Sequence, residues 1–278
     1  MKKMLPESEL ARDERFVRSK IEDRIFDPRG AKIAARNTGP AKMATDRPAA
    51  AERSRSLMHG IFVGEVQALE GAGRTCFDFD DTEAPFQLKL DMARQCWDES
   101  RHCEISIKLG DHMGTEIGEY TESTFLYSAA CNPDPVLRLC GVNRALEGLA
   151  IDVFSTMKEF GDESGDPVLE FCEDWMLADE VTHVKMGSDW LRRLTVNDKD
   201  RQERALEFQR IVDKLFSLGG FRGEEEDSPV RLARRFRELA GFDTSEMDEL
   251  AQIAKESREE ADRLQAASRA QKLESAAS

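Results

Sequence analysis

Asp98-Glu99-Ser100-Arg101-His102 is echoed further along the chain by Asp179-Glu180-Val181-Thr182-His183. Both stretches lie in runs whose apolar spacing is helical. At about 100° and 1.5 Å per residue, positions i and i+3 share one helix face, one turn apart. Each stretch therefore sets a carboxylate beside an imidazole, which is half of a metal site. A second repeat supplies the rest. Gln67-Ala68-Leu69-Glu70-Gly71 and Arg144-Ala145-Leu146-Glu147-Gly148 share Ala-Leu-Glu-Gly, which aligns Glu70 with Glu147. Glu70 precedes Glu99 by 29 residues and Glu147 precedes Glu180 by 33. Both spacings suit two antiparallel helices joined by a tight turn.

The expected ligands are thus Glu70, Glu99, His102, Glu147, Glu180 and His183. One Glu from each of two helices and one Glu-x-x-His from each of two others is the ligand set of di-iron and di-manganese carboxylate proteins. Four carboxylates largely neutralise two metal ions, and two imidazoles leave coordination positions open for O2. Burying four unpaired carboxylates without cations would be prohibitively costly. Asp98 and Asp179 are placed to hold the second N–H of each imidazole.

Asp-Glu-x-Arg-His, complete at 98–102, resembles the motif of bacterial di-iron monooxygenases and ribonucleotide reductase small subunits. That resemblance implies that Glu99 and Glu180 bridge the metals while Glu70 and Glu147 bind terminally. The second copy carries Thr182 where Arg101 stands in the first, so the halves are unequal. Glu65 is five residues before Glu70, about 140° around the helix, and is expected to support the ligands or lie at the surface. Arg144 and Arg74, a turn from Glu147 and Glu70, either neutralise the carboxylate cluster or hold an anionic substrate, the structural role being the plainer reading. Cys96, Cys140 and Cys172 fall on faces similar to those of Glu99, Glu147 and Glu180. They line a pocket above the metals or, more plainly, fill the core as small apolar residues.

The rest of the chain supplies a scaffold. It has 278 residues, 40% hydrophobic and 34% charged, with only 7% aromatic. Ala, Leu, Glu, Arg and Met dominate, which favours helices. Helical apolar spacing runs from Ala51 to about Cys76, from Pro85 to Gly110, from Pro135 to Gly161 and from Pro167 to Leu194. The joints are short, long and short, the long one covering 110–134. The expectation is an all-α fold: a ferritin-like four-helix bundle with a long crossover between its second and third helices. An extended arm (1–50) packs on the bundle (51–195), and additional helices follow (196–278), near 198–217, 229–240 and 244–272.

No apolar run is long enough to span a bilayer, and no apolar region follows the charged N-terminus, so no secretory signal is read. Six cysteines without a CxxC pair read as reduced thiols of a cytoplasmic protein. Net charge is −15, which argues against nucleic-acid or anionic-membrane binding. Residues 1–60 hold 14 Lys and Arg against 9 Asp and Glu, and the remainder 26 against 46; a basic arm docking on an acidic body accounts for this.

His59 with Glu65, Gln67 and Glu70, the run Arg144 to Asp152, and the run Asp179 to Trp190 look like the ferritin-like family catalogued as DUF455. The likeness covers about 57–195 and, more loosely, 229–242. It implies the fold and the metal pair but no single reaction. The function expected is a non-haem dinuclear oxidoreductase, holding two Fe (alternatively Mn, or mixed Mn/Fe). It would activate O2 to oxidise a small organic substrate by hydroxylation, N-oxygenation or desaturation. Its partners are O2, that substrate and an electron donor (a reductase, ferredoxin or small reductant), in a monomer or homodimer. Metal storage as in ferritins, a manganese catalase and a tRNA-modifying hydroxylase are the alternatives weighed.

Overall fold

The computed structural model describes residues 49–277 except 81, 121–123, 218–222, 225–227 and 229. Of the arm expected over 1–50, residues 1–48 lie outside the described residues, and Ala49 and Ala50 already belong to the first helix. Elements named here are helices α1 (Ala49–Phe77), α2 (Phe86–Met113), α3 (Phe125–Ala130), α4 (Pro135–Leu139), α5 (Glu147–Ser164), α6 (Pro167–Leu194), α7 (Lys199–Ser217), α8 (Arg234–Leu239) and α9 (Thr244–Ala277). A π-helical segment, Cys140–Leu146, joins α4 to α5 without a break. The described residues form no strand; a single bridge pairs Gly223 with Arg231. The described part of the chain is all-helical.

Local chemistry sets the boundaries. Asp166 caps α6 by accepting from the backbone N–H of Val168 and Leu169, with Pro167 in the first turn. Asp134 and Pro135 repeat the device at α4. Gly114 and Gly165 end α2 and α5 in the left-handed conformation, at φ 74° and 67°, which glycine adopts without a Cβ clash. The turn at Gly165 folds α6 tightly back on α5. A Cβ on Gly161 would stand 2.6 Å from the backbone N of Glu170.

Two hairpins, α1–α2 and α5–α6, make the core. Their short joints force each pair antiparallel. Between the hairpins, α2 meets α6 through Trp190 Nε1 donating to Asp91 at 2.8 Å, His183 facing Asp98, and His102 facing Asp179. These pairs step in opposite directions along the two helices, so α2 and α6 are also antiparallel. Met58, Leu109, Phe154, Met157, Leu169, Met176 and Leu177 pack one end of the core. Phe79, Leu88, Met92, Leu139 and Trp190 pack the other. The connection after α2 holds the short helix α3, which packs on α1.

The C-terminal helices are fastened to this core. α7 packs against the π segment and α4, and α9 packs along α7. Arg144 donates through Nε to Gln209 of α7 at 2.8 Å, reaches Ser188 and Glu246, and lies over the Phe242 ring. Arg144 is structural, but its place differs from the expected one beside the ligand carboxylates: its contacts are with Gln209, Ser188, Glu246 and Phe242. Arg237 of α8 is fully buried and forms a two-pronged pair with Asp152 at 2.9 and 2.7 Å. Asp152 also accepts from the Ala233 backbone at 2.9 Å. Gly148 leaves the space, since a Cβ there would lie 2.9 Å from Arg237 Nη1.

Removing one partner of a buried, hydrogen-bonded ion pair leaves the other charge uncompensated, at a cost of about 3–5 kcal/mol. Arg237→Met should therefore lower the unfolding free energy by that amount in denaturant titration. Arg237→Met with Asp152→Leu should recover most of the loss.

Candidate metal centre

α2 carries Glu99 and His102 on one turn and α6 carries Glu180 and His183 on another; all four side chains are fully buried. Nδ1 of His102 stands 3.1 Å from Glu65 Oε2, Glu99 Oε2 and Glu180 Oε1. Nδ1 of His183 stands 3.2 Å from Glu99 Oε1 and 3.5 Å from Glu180 Oε2. Both imidazoles thus aim the same nitrogen at the same two carboxylates, one from each side. The ligand-type atoms of Glu65, Glu99, His102 and Glu180 all lie within 4.8 Å of one another.

The outer nitrogens are held crosswise. His102 Nε2 faces Asp179 Oδ2 at 3.3 Å, and His183 Nε2 faces Asp98 Oδ2 at 3.2 Å. Each aspartate serves the imidazole of the other helix. Arg101 ties the two together: its Nη2 donates to Asp98 and, at 3.2 Å, to Asp179. Its guanidinium lies 4.6 Å from the centre of the Trp175 ring. This explains Thr182. One arginine serves both aspartates, so the second copy needs none; Thr182 is exposed and donates to Ala178 O of its own helix.

On the α1 side the structure brings Glu65, not Glu70, into the cluster. Glu65 is buried and against His102, whereas Glu70 is half-buried and outside the four-residue group. The Ala-Leu-Glu-Gly repeat is genuine in sequence but does not mark equivalent positions in space. Spacing carries the better signal: Glu65 precedes Glu99 by 34 residues, matching the 33 from Glu147 to Glu180. Glu147 is buried beside the cluster and is reached through Gln95, a residue that no sequence pattern marks. The Gln95 amide donates to Glu147 Oε1 at 2.8 Å and to Glu99 Oε1 at 3.0 Å, while its oxygen accepts from Asn143 at 2.8 Å.

The other sequence candidates lie elsewhere. Cys140 is packed with Val136, Leu191 and Ala205. Cys96 faces Leu69 O between α1 and α2. Cys172 packs at the edge of the core. None lines either cavity that reaches the cluster, so the plainer reading as core residues holds. Arg74 pairs with Asp78 at 2.9 Å and donates to Tyr127 at 3.1 Å.

Electrostatics follow from burying like charges together. Burial, with neighbouring carboxylates, pushes Glu65 and Glu147 well above the ordinary carboxyl range. For Glu99 burial acts the same way, but His183 and His102 outweigh it and hold the group below that range. Burial opposes charge on the imidazoles, yet the facing carboxylates push both His102 and His183 upward. The cluster therefore attracts positive charge. Among the described residues, a polar cleft and an apolar cavity reach it. The polar cleft, of about 220 Å³ between α2 and α6, touches Gln95 and His183, with Arg94, Lys185 and Arg193 in its walls. The apolar cavity, of about 480 Å³ between α1 and α5, touches Glu65 and Glu147.

A family model described as a protein of unknown function (DUF455) matches residues 3–248. The chain belongs to the DUF455 family. No curated protein and no solved structure matches it. Two members of the cluster, His102 and Glu180, lie on helices that antiparallel packing brings face to face from opposite halves of the matched region.

Glu173 adds a separate carboxyl, two turns before Glu180. It is fully buried, neither oxygen has a hydrogen-bond partner, and burial pushes it well above the ordinary range. A carboxyl that keeps its proton only when folded stabilises fully below its unfolded pKa and loses that contribution as pH rises towards the folded value. The slope is about 1.4 kcal/mol for each pH unit over which the native group stays protonated. Glu173→Met should thus raise the melting temperature markedly at pH 7 and little at pH 4, in thermal melts across that range.

Proposed function

We propose that the chain is a non-haem dinuclear metal oxidoreductase built on a ferritin-like bundle, using O2 to oxidise a small organic substrate. The observation that carries this reading is the convergence of both Nδ1 atoms on Glu99 and Glu180, with each Nε2 held by an aspartate. An imidazole whose outer N–H is fixed by a carboxylate presents its other nitrogen as a lone pair, which is how metal-ligating histidines are held. The donor set fits two ions. Glu99 Oε2, both oxygens of Glu180 and Nδ1 of His183 are buried without a hydrogen-bond partner in the protein, and such atoms are costly unless a cation or polar group meets them. Glu65 with His102 would hold one ion and Glu147 with His183 the other, Glu99 and Glu180 being shared.

Iron or manganese bound there supplies the redox chemistry. The chain's own residues bind, orient and shield. Asp98 and Asp179 fix the imidazole rings, and Arg101 fixes the aspartates. Gln95 sets the position of Glu147 against Glu99. Phe154 and Trp175 stand edge-on to the His102 ring, at 6.2 and 6.4 Å between centres, and wall that side from water. The long connection from Gly114 to Asp134, joining the two hairpins, supports the ferritin-like assignment.

Reconstitution with Fe(II) without oxygen should load about two ions per chain, and admitting O2 with a reductant should give sustained O2 uptake. Accumulation of a many-iron mineral core would instead indicate storage, and no O2 uptake with any reductant would remove the oxidase reading. Glu65→Ala should abolish loading of one ion, while Glu70→Ala should retain both. Arg101→Thr releases both aspartates, so it should weaken metal affinity by roughly 10- to 100-fold. Thr182→Arg should leave affinity unchanged, as measured by competition with a chelator.

A further inference from the structure

The apolar cavity between α1 and α5 runs from the protein surface to the carboxylates of Glu65 and Glu147. At about 480 Å³ it falls within the range of small-molecule pockets. Its α1 wall contains Gly60 and Gly64, one turn apart in the middle of a 29-residue helix. Glycine inside a helix is unfavourable by about 1 kcal/mol against alanine, so its presence twice in one turn calls for a reason. Elsewhere close packing provides one: a Cβ on Gly141 or Gly187 would strike a neighbour at 2.4 or 2.5 Å. At Gly60 and Gly64 a Cβ would meet nothing within 4 Å. These two glycines make room for no other described part of the protein. They widen the cavity.

The opposite walls are apolar, with Val153 and Phe154 of α5, Phe125 of α3 and Phe216 of α7 among them. Among the described residues that line the cavity there is no Lys, Arg or His; the polar groups are Gln67 and the two glutamates at its inner end. A pocket with acidic groups and no cation disfavours an anion and offers an apolar body its best fit.

We infer that this cavity binds a neutral, predominantly apolar molecule, with Gly60 and Gly64 clearing its path to Glu65 and Glu147. Calling that molecule the substrate rests on the dinuclear reading above; the binding itself does not. Two dyes of nearly the same body separate the chemistry: N-phenyl-1-naphthylamine, which is neutral, and 1-anilinonaphthalene-8-sulfonate, which is anionic. In fluorescence titrations of the full chain without added metal, the neutral dye should saturate at one site and the anionic dye should bind at least 10-fold more weakly. Gly64→Leu fills the cavity from a wall with space for it. It should weaken the neutral dye at least 10-fold, with a melting temperature equal to or above that of the natural chain. Gly60→Leu is the second variant and should act in the same direction.

No saturable binding of the neutral dye would overturn the proposal. Equal binding of the two dyes, or unchanged affinity in both leucine variants, would also overturn it. Equilibrium dialysis with Fe(II) keeps the two readings apart. Gly64→Leu should load iron like the natural chain, and a chain that binds the neutral dye but no iron would sink the metal centre while leaving the cavity assignment in place.

Discussion

Carboxylates brought together in an apolar interior repel one another and are deprived of water, and the architecture is arranged around answering that repulsion. Glu65, Glu99, Glu147 and Glu180 come from four different helices, so no single element bears the whole cost. Two imidazoles meet the carboxylates inside, and one guanidinium supplies positive charge outside. The aspartates connect these layers: each takes an imidazole N–H on its inner side and Arg101 on its outer side. This outer layer is hydrogen-bonded across the α2–α6 seam and not merely within each helix.

The halves of the site differ in what surrounds them. The face between α2 and α6 is polar, lined by Arg94, Lys185 and Arg193 near His183 and Gln95. The face between α1 and α5 is apolar and ends at the two glutamates. The cluster is thus flanked by charged side chains on one side and apolar ones on the other.

Much of this is legible in the sequence. Glu-x-x-His is local, and helical geometry alone puts its two side chains together; hence Glu99 pairs with His102, and Glu180 with His183, on spacing alone. Helix starts at Pro135 and Pro167 are readable because capping chemistry acts within a turn; the closing glycines are harder to place, since α2 runs through the expected stop at Gly110 to Gly114 and α5 through Gly161 to Gly165. Glu65 is harder to place. A four-residue identity points to Glu70 and competes with the spacing match that points to Glu65, and helical rotation over five residues changes the face by about 140°. Gln95 and the crosswise aspartate pairing depend on the register between helices far apart in sequence, which no local pattern encodes. The cysteines are ambiguous because a small apolar side chain suits a core and a cavity wall equally.

The π segment from Cys140 to Leu146 leaves no mark on the apolar spacing, yet it governs how Glu147 is delivered. A π turn holds one more residue than the α turn it replaces, so the helix before it and the helix after it need not share a face. Cys140 and Val136 look towards α6 and α7, while Glu147, at the first position beyond, looks into the core. The segment works as a phase shifter in an otherwise continuous rod. Deleting a single residue between 140 and 146 would restore regular winding and force a choice: either the α7 contacts or the Glu147 carboxylate would swing about 100° out of place. Such length sensitivity in the middle of a helix, where point substitutions are usually tolerated, sets this stretch apart from the ordinary turns of α1, α2 and α6.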